Sequence, residues 1–292
     1  MVRNKMRFLV LALCGGLTAL GLQVATAGPA AAIPGLQNVS AASPVDSSVS
    51  KSVVATCPAG KQVVGGGGQL TVITGEASIT RLAPTATADG YEARAYEDAD
   101  GFAGNWGLIV TAVCANPPPG YEIQTAVSPV GSPATANVTA TCSSGHQVLG
   151  TGGAVSRGHG SVVLTGFLPA PITGPNTVLA LGAEVQGGTT NSWTVTAWAI
   201  CANVVPGYKV EATTSVIDST TPKAHSTPCP AGSFVHGVGF LFTAIGIGEF
   251  FLNAIFPNPP APLGTDVPLV AAEDQSGMAG NWGMRVYAIC AT

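Results

Sequence analysis

Charged residues are scarce in this sequence. They make up 9% of it, against about 25% in ordinary soluble domains. A chain so poor in Lys, Glu and Arg has little with which to solvate the outer faces of helices, which argues against a helical fold. Its 11 Lys and Arg are spread thinly, with no basic stripe and no basic–aromatic cluster, so a nucleic-acid partner is excluded. No Cys-x-x-Cys occurs, and the 4 histidines fall at unrelated places, so no zinc site is expected. No Gly-x-Ser-x-Gly occurs either, which removes the nucleophile elbow of the common hydrolases. No cofactor is expected.

What remains is rich in turn and strand formers. There are 38 Gly and 22 Pro, and the mean hydropathy is +0.39; with abundant Thr and Val this predicts an all-β chain. Residues 1–27 read as a signal peptide. Arg3, Lys5 and Arg7 are followed by the apolar run Phe8 to Leu22 and by Ala25-Thr26-Ala27, an A-x-A cleavage site. The expected location is therefore secreted, outside the cell.

One strand is written three times: Trp106 to Cys114, Trp193 to Cys201 and Trp282 to Cys290. The spacing is even, so tryptophan and cysteine share a face, and the positions between them on that face are apolar. Pro119-Gly120-Tyr121 matches Pro206-Gly207-Tyr208, and Pro34-Gly35-Leu36 is a fainter copy. The mature chain divides into β-repeats at 28–118, 119–205 and 206–292. Six cysteines remain after the leader and allow 15 pairings. Each repeat holds one early and one late cysteine, which selects Cys57–Cys114, Cys142–Cys201 and Cys229–Cys290. Each bridge closes a loop of about sixty residues, worth about 4 kcal/mol in the chain-entropy model. Six short strands per repeat predict a small antiparallel β-sandwich with one disulfide, three in tandem. The alternative is a single pseudo-threefold β-prism.

Glycines recur at matched offsets in the third strand: Gly65 and Gly67, Gly150 and Gly152, Gly237 and Gly239. A strand follows them where a phosphate loop needs a helix, so close packing against a neighbour is the expectation. Residues 239–256 are unusually apolar. Their shortness and Glu249 argue against a membrane span, leaving buried strands, a covered face or a membrane contact.

The pattern Cys-Pro-Ala-Gly, Gly-x-Gly, a strand ending in proline and Trp…Ala-Ile-Cys-Ala resembles a disulfide-linked β-repeat module of secreted actinobacterial proteins. That resemblance implies export and a stapled β-module, and no chemistry. Cys229-Pro-Ala-Gly232 with Gly239-Phe240 and Leu252-Asn253-Ala-Ile255 is similar to vitelline-membrane outer-layer proteins, which implies a prism of three Greek-key sheets.

Glu97, Glu184 and Glu273 stand nine residues before each core tryptophan. They are either structural acceptors or three copies of a sugar contact. Trp198 and Tyr287 share the outward place five residues past the tryptophan and are expected exposed, where they could stack on a sugar ring. Glu97-Asp98-Ala-Asp100-Gly101 looks like a calcium loop, but full EF-hand spacing is absent and the other repeats lack it, so no metal ligand is expected. His146 and His159 occur in one repeat only. The expected protein is not an enzyme. It is a non-catalytic binding or cell-surface structural protein, its partner a glycan, a cell-wall polymer or another extracellular protein. A secreted hydrolase with a site between repeats, or a protease inhibitor, is the alternative.

Overall fold

The computed structural model describes residues 33–158, 160–169, 176–243, 247–258, 263–274 and 280–292. The predicted leader 1–27 and His159 lie outside the described residues. Repeat one forms β1 (Gln37–Ala42), β2 (Ser50–Thr56), β3 (Gln62–Leu70), β4 (Ala77–Pro84), β5 (Gly90–Glu97) and β6 (Leu108–Ala115). Repeat two forms β7 (Glu122–Val127), β8 (Thr135–Thr141), β9 (His146–Ser156), β10 (Val162–Pro169), β11 (Thr177–Glu184) and β12 (Thr194–Asn203). Repeat three forms β13 (Lys209–Thr214), β14 (Lys223–Pro228), β15 (Phe234–Thr243), β16 (Phe250–Ile255), β17 (Asp266–Glu273) and β18 (Gly283–Ala291).

These strands form three six-stranded sheets in the orders β1-β6-β3-β16-β17-β14, β2-β5-β4-β9-β12-β7 and β13-β18-β15-β10-β11-β8. Every pairing is antiparallel. Within a repeat, the first, sixth and third strands lie in one sheet and the second, fifth and fourth in another, packed face to face as a sandwich. No repeat keeps either sheet to itself. The fourth strand pairs with the next repeat's third strand (β4 with β9, β10 with β15), and β16 of the last repeat returns to β3 of the first. The expectation of three self-contained sandwiches is corrected in this respect. Isolated units would leave the third and fourth strands as open edges, and sharing them around a pseudo-threefold prism pairs both.

The glycines explain how the three sheets meet. A Cβ on Gly65 would collide with the backbone carbonyl of His236, one on Gly150 with that of Val64, and one on Gly237 with that of Leu149. These are the third strands of the three repeats, touching backbone to backbone on the central axis. The close packing expected for these glycines is therefore against the backbone of the neighbouring repeat. A β-bulge accompanies each contact, between Val63 and Gly65, between Val148 and Gly150 and between Val235 and Gly237. Tyr121 and Tyr208 then clamp the preceding repeat: Tyr121 donates its hydroxyl to Val63 O at 2.6 Å, and Tyr208 to Val148 O at 2.9 Å.

The disulfides form as the repeat predicts, with sequence separations of 57, 59 and 61. Each early cysteine follows a second strand and each late one lies in a sixth strand, so each bridge joins two different sheets. Together they connect the three sheets pairwise in a closed ring. Three disulfides fit an oxidising compartment. The apolar stretch of repeat three is core: Phe240, Phe242, Phe250, Leu252 and Ile255 are buried, and Phe250 stacks on Trp282 with ring centroids 4.5 Å apart. Among the described residues no helix is long and apolar enough to cross a membrane.

Candidate functional site: tryptophan caps and an arginine cleft

The three glutamates face inward. Glu97 accepts a hydrogen bond from Trp106 Nε1 at 2.7 Å. Glu184 accepts one from Trp193 Nε1 at 3.0 Å and also holds Ser132 Oγ at 3.1 Å and the Thr189 amide at 3.2 Å. Both indoles are buried in the core, where an N–H without an acceptor costs about 1–3 kcal/mol. The nine-residue offset therefore places a carboxylate across the layer from each indole. The third copy departs from this, because Trp282 Nε1 and Glu273 Oε1 are both buried outside hydrogen-bond geometry. Burial raises the Glu273 pKa, while Lys223 and the neighbouring indole draw it down. The reading of these residues as sugar contacts has no support in where they point.

Two of the caps carry a cation. Lys51 Nζ sits 5.1 Å from the Trp106 ring centroid and Lys223 Nζ 4.9 Å from that of Trp282, and each is nearly buried. Lys51 pairs with Asp46 and Lys223 with Asp218. The hydrogen bonds from these lysines hold Asp46 below the usual carboxylate range and Asp218 down to about 2. Strand register puts Ala136 where Lys51 and Lys223 stand, and Gly131 takes the aspartate's place.

Tyr287 is 3% exposed, which corrects the expectation that it faces water. Arg285 lies over its ring at 5.2 Å. Trp198 is half-buried, with the Arg81 guanidinium 4.6 Å from its ring centroid. A ring already covered by an arginine is not an open stacking platform.

His146 Nδ1 meets Glu122 Oε1 at 3.0 Å, and Ser143 Oγ donates to Glu122 Oε2 at 2.8 Å. The acid stands between serine and histidine, so the histidine is not placed to take the hydroxyl proton. Burial favours the charged carboxylate less, but the Ser143 amide, His146 and Ser143 Oγ outweigh it and bring Glu122 to about 2. The cluster ties the start of β7 to the turn before β9.

An arginine cleft was not visible in the sequence. Three of the four arginines beyond residue 27, Arg81, Arg94 and Arg157, line one cavity of about 190 Å³. Thr80, Tyr96 and Ser156 also line it. Arg81 comes from β4, Arg94 and Tyr96 from the outer face of β5, and Arg157 from the turn after β9, so the cleft straddles the seam between repeats one and two. Glu92 binds Arg81 Nε at 2.7 Å and Arg94 Nε at 2.5 Å. Burial would raise Glu92, but the Arg94 hydrogen bond and the two positive charges hold it below its ordinary value. Both ion pairs use Nε, so one carboxylate orients two guanidiniums and leaves the cleft with a surplus of positive charge. Arg157 adopts a left-handed backbone, φ 71°, which costs a non-glycine residue about 1–2 kcal/mol. The signal that could have revealed the cleft is the concentration of arginine in two adjacent repeats of a charge-poor chain.

Compared with known proteins, the chain matches no family model, and no curated protein matches it in sequence.

Proposed function

We propose that the chain is a secreted, non-catalytic binding protein that holds an anionic glycan or cell-wall polymer in the arginine cleft. The observation that carries this reading is the convergence of Arg81, Arg94 and Arg157 on one cavity in a sequence with 9% charged residues. Guanidinium groups recognise carboxylate, sulfate and phosphate through paired N–H donors. Tyr96, Thr80 and Ser156 supply the ring face and hydroxyls that a sugar needs. Only one of the three repeat seams carries these residues, so the binding is monovalent and not threefold.

The test compares the purified protein's affinity for a polyuronate and for neutral dextran at low and high salt. The proposal expects polyuronate binding that weakens as salt rises, and a loss of roughly tenfold to a hundredfold for each of Arg81→Ala, Arg94→Ala and Arg157→Ala, from one charge-assisted contact of about 1.5–3 kcal/mol. Equal affinity for the neutral polymer, or a triple variant that binds as before, would refute it.

A further inference from the structure

At one end of the prism axis the three repeats meet again, and this contact is independent of the arginine cleft. The residue after each fifth strand donates its amide to the residue opening the fourth strand: Asp98 N to Glu76 O at 3.0 Å, Val185 N to Ser161 O at 3.1 Å and Asp274 N to Glu249 O at 3.0 Å. The glycine before each acceptor packs on the next pair in the cycle. A Cβ on Gly75 would strike the Glu273 carbonyl, on Gly160 that of Glu97, and on Gly248 that of Glu184. Six side-chain positions therefore ring the axis, and four of them are acids: Glu76, Asp98, Asp274 and Glu249. Asp100 adds a fifth carboxylate from the loop after β5.

The carboxylate oxygens of Glu76, Asp98 and Asp100 lie within 4.8 Å of one another. Asp98, Asp100 and Asp274 line a cavity of about 300 Å³ together with Ala99, Val185 and Gln186. Glu249 supplies a second and separate sign of a ligand. It is 6% exposed, and its carboxylate accepts the Gln186 amide and feels the charge of Asp274, two residues that line that cavity. Its Oε2 is buried with no hydrogen-bond partner, as is Asp98 Oδ2. Asp98, Asp100 and Glu249 take part in no salt bridge among the described residues.

Buried carboxylate oxygens turned toward one another destabilise the fold unless a cation or a proton lies between them. We propose that this end of the axis binds a hard divalent cation, calcium by preference, with Glu76, Asp98 and Asp100 as ligands, Asp274 on the far wall and the Glu249 carboxylate beside it. Calcium accepts six to eight oxygens at irregular angles, whereas magnesium demands an octahedron. A ring built from three different repeats, with Ser161 and Val185 at two of its places, suits the less exacting ion.

The test is calorimetric titration of the chelator-treated full-length mature protein with calcium chloride, paired with thermal unfolding at each concentration. The proposal expects saturable binding with a dissociation constant of roughly 10⁻⁴–10⁻³ M, the range of extracellular modules, and a Tm that climbs with calcium. Asp100→Asn, an exposed position that leaves the fold intact, lowers the affinity at least about tenfold. Asp98→Asn does the same, and Asp89→Asn, an acid elsewhere on the surface, leaves it unchanged. The proposal fails if about 10 mM calcium gives neither heat nor a Tm shift, or if Asp100→Asn and Asp98→Asn bind calcium as tightly as the parent.

Discussion

The three seams where a fourth strand meets its neighbour's third are the same in backbone and unlike in side chains. Register aligns Arg81 with Gly166 and Ala254 through their partners Ala154, Leu241 and Gln69. It aligns Arg94 with Leu181 and Val270. On the other strand of each seam, Trp198, Tyr287 and Thr111 face Gly152, Gly239 and Gly67. At these two places the other seams hold only glycine, alanine, leucine and valine where the first holds two arginines, and the second seam's arginine, Arg285, lies instead on β18 over Tyr287. The inward positions do not vary in this way: each repeat keeps its tryptophan, its disulfide and its axial glycine. The difference teaches that residues enclosed by the threefold packing are fixed by it, whereas the outer places of a shared seam are free to diverge and to acquire a ligand.

Changes to the shared frame should therefore cost stability alike in every repeat. Replacing both members of any one disulfide by serine removes one side of the ring joining the sheets and should cost about 2–5 kcal/mol, read by denaturant unfolding. One pair whose loss is silent would break the equivalence. The indole caps should separate the repeats. Glu97→Ala and Glu184→Ala each leave a buried indole N–H unpaired and should cost about 1–3 kcal/mol. Glu273→Ala should cost less, because Trp282 Nε1 already stands outside hydrogen-bond geometry.

The outer residues should behave in the opposite way. Converting the first seam to the residues of the second, with Arg81→Gly, Arg94→Leu and Glu92→Leu, should abolish polyanion binding. Unfolding should move by less than the loss of one disulfide, because Gly166, Leu181 and Leu179 already occupy the same places in the second seam.

The acidic end supplies a pH dependence. The Asp98 carboxyl is raised from 3.8 to about 7 by burial and acidic neighbours, so the native state holds a proton that the unfolded chain releases. The Asp98 contribution to the stability of the cation-free protein should be largest below pH 4 and fall as pH rises from about 4 to about 7, whereas Asp218 and Glu122, held at about 2, lose their contributions only as pH drops below about 4. Thermal unfolding across that window, with and without calcium, checks it: calcium should flatten the decline, and Asp98→Asn should remove its share of it.

Much of the frame was legible in the sequence because periodicity and spacing report local facts. The even Trp-to-Cys interval marked an inward strand face, and one early and one late cysteine per repeat fixed the pairing. The third-strand glycines announced a close backbone approach. What spacing does not encode is which repeat supplies the partner of a strand edge, since β4 carries the same alternation whether it pairs with β3 or with β9. Everything assembled across that seam was hidden for the same reason. Arg81 and Arg157 are remote in sequence and adjacent only once β4 lies beside β9. Asp98-Ala-Asp100 looks like a calcium loop in the sequence, but Glu76 and Asp274 reach it from another loop and another repeat. Tyr287 was read as exposed because a lone strand has an outer face, and here the chain covers that face.

The most direct measurement of this account is the stoichiometry of binding. Calorimetric titration of the full chain with a short, size-defined uronic acid oligosaccharide should give one site per chain, lost in the Arg81→Ala, Arg94→Ala, Arg157→Ala triple variant. Three equivalent sites per chain, or a single site that survives the triple substitution, would contradict it.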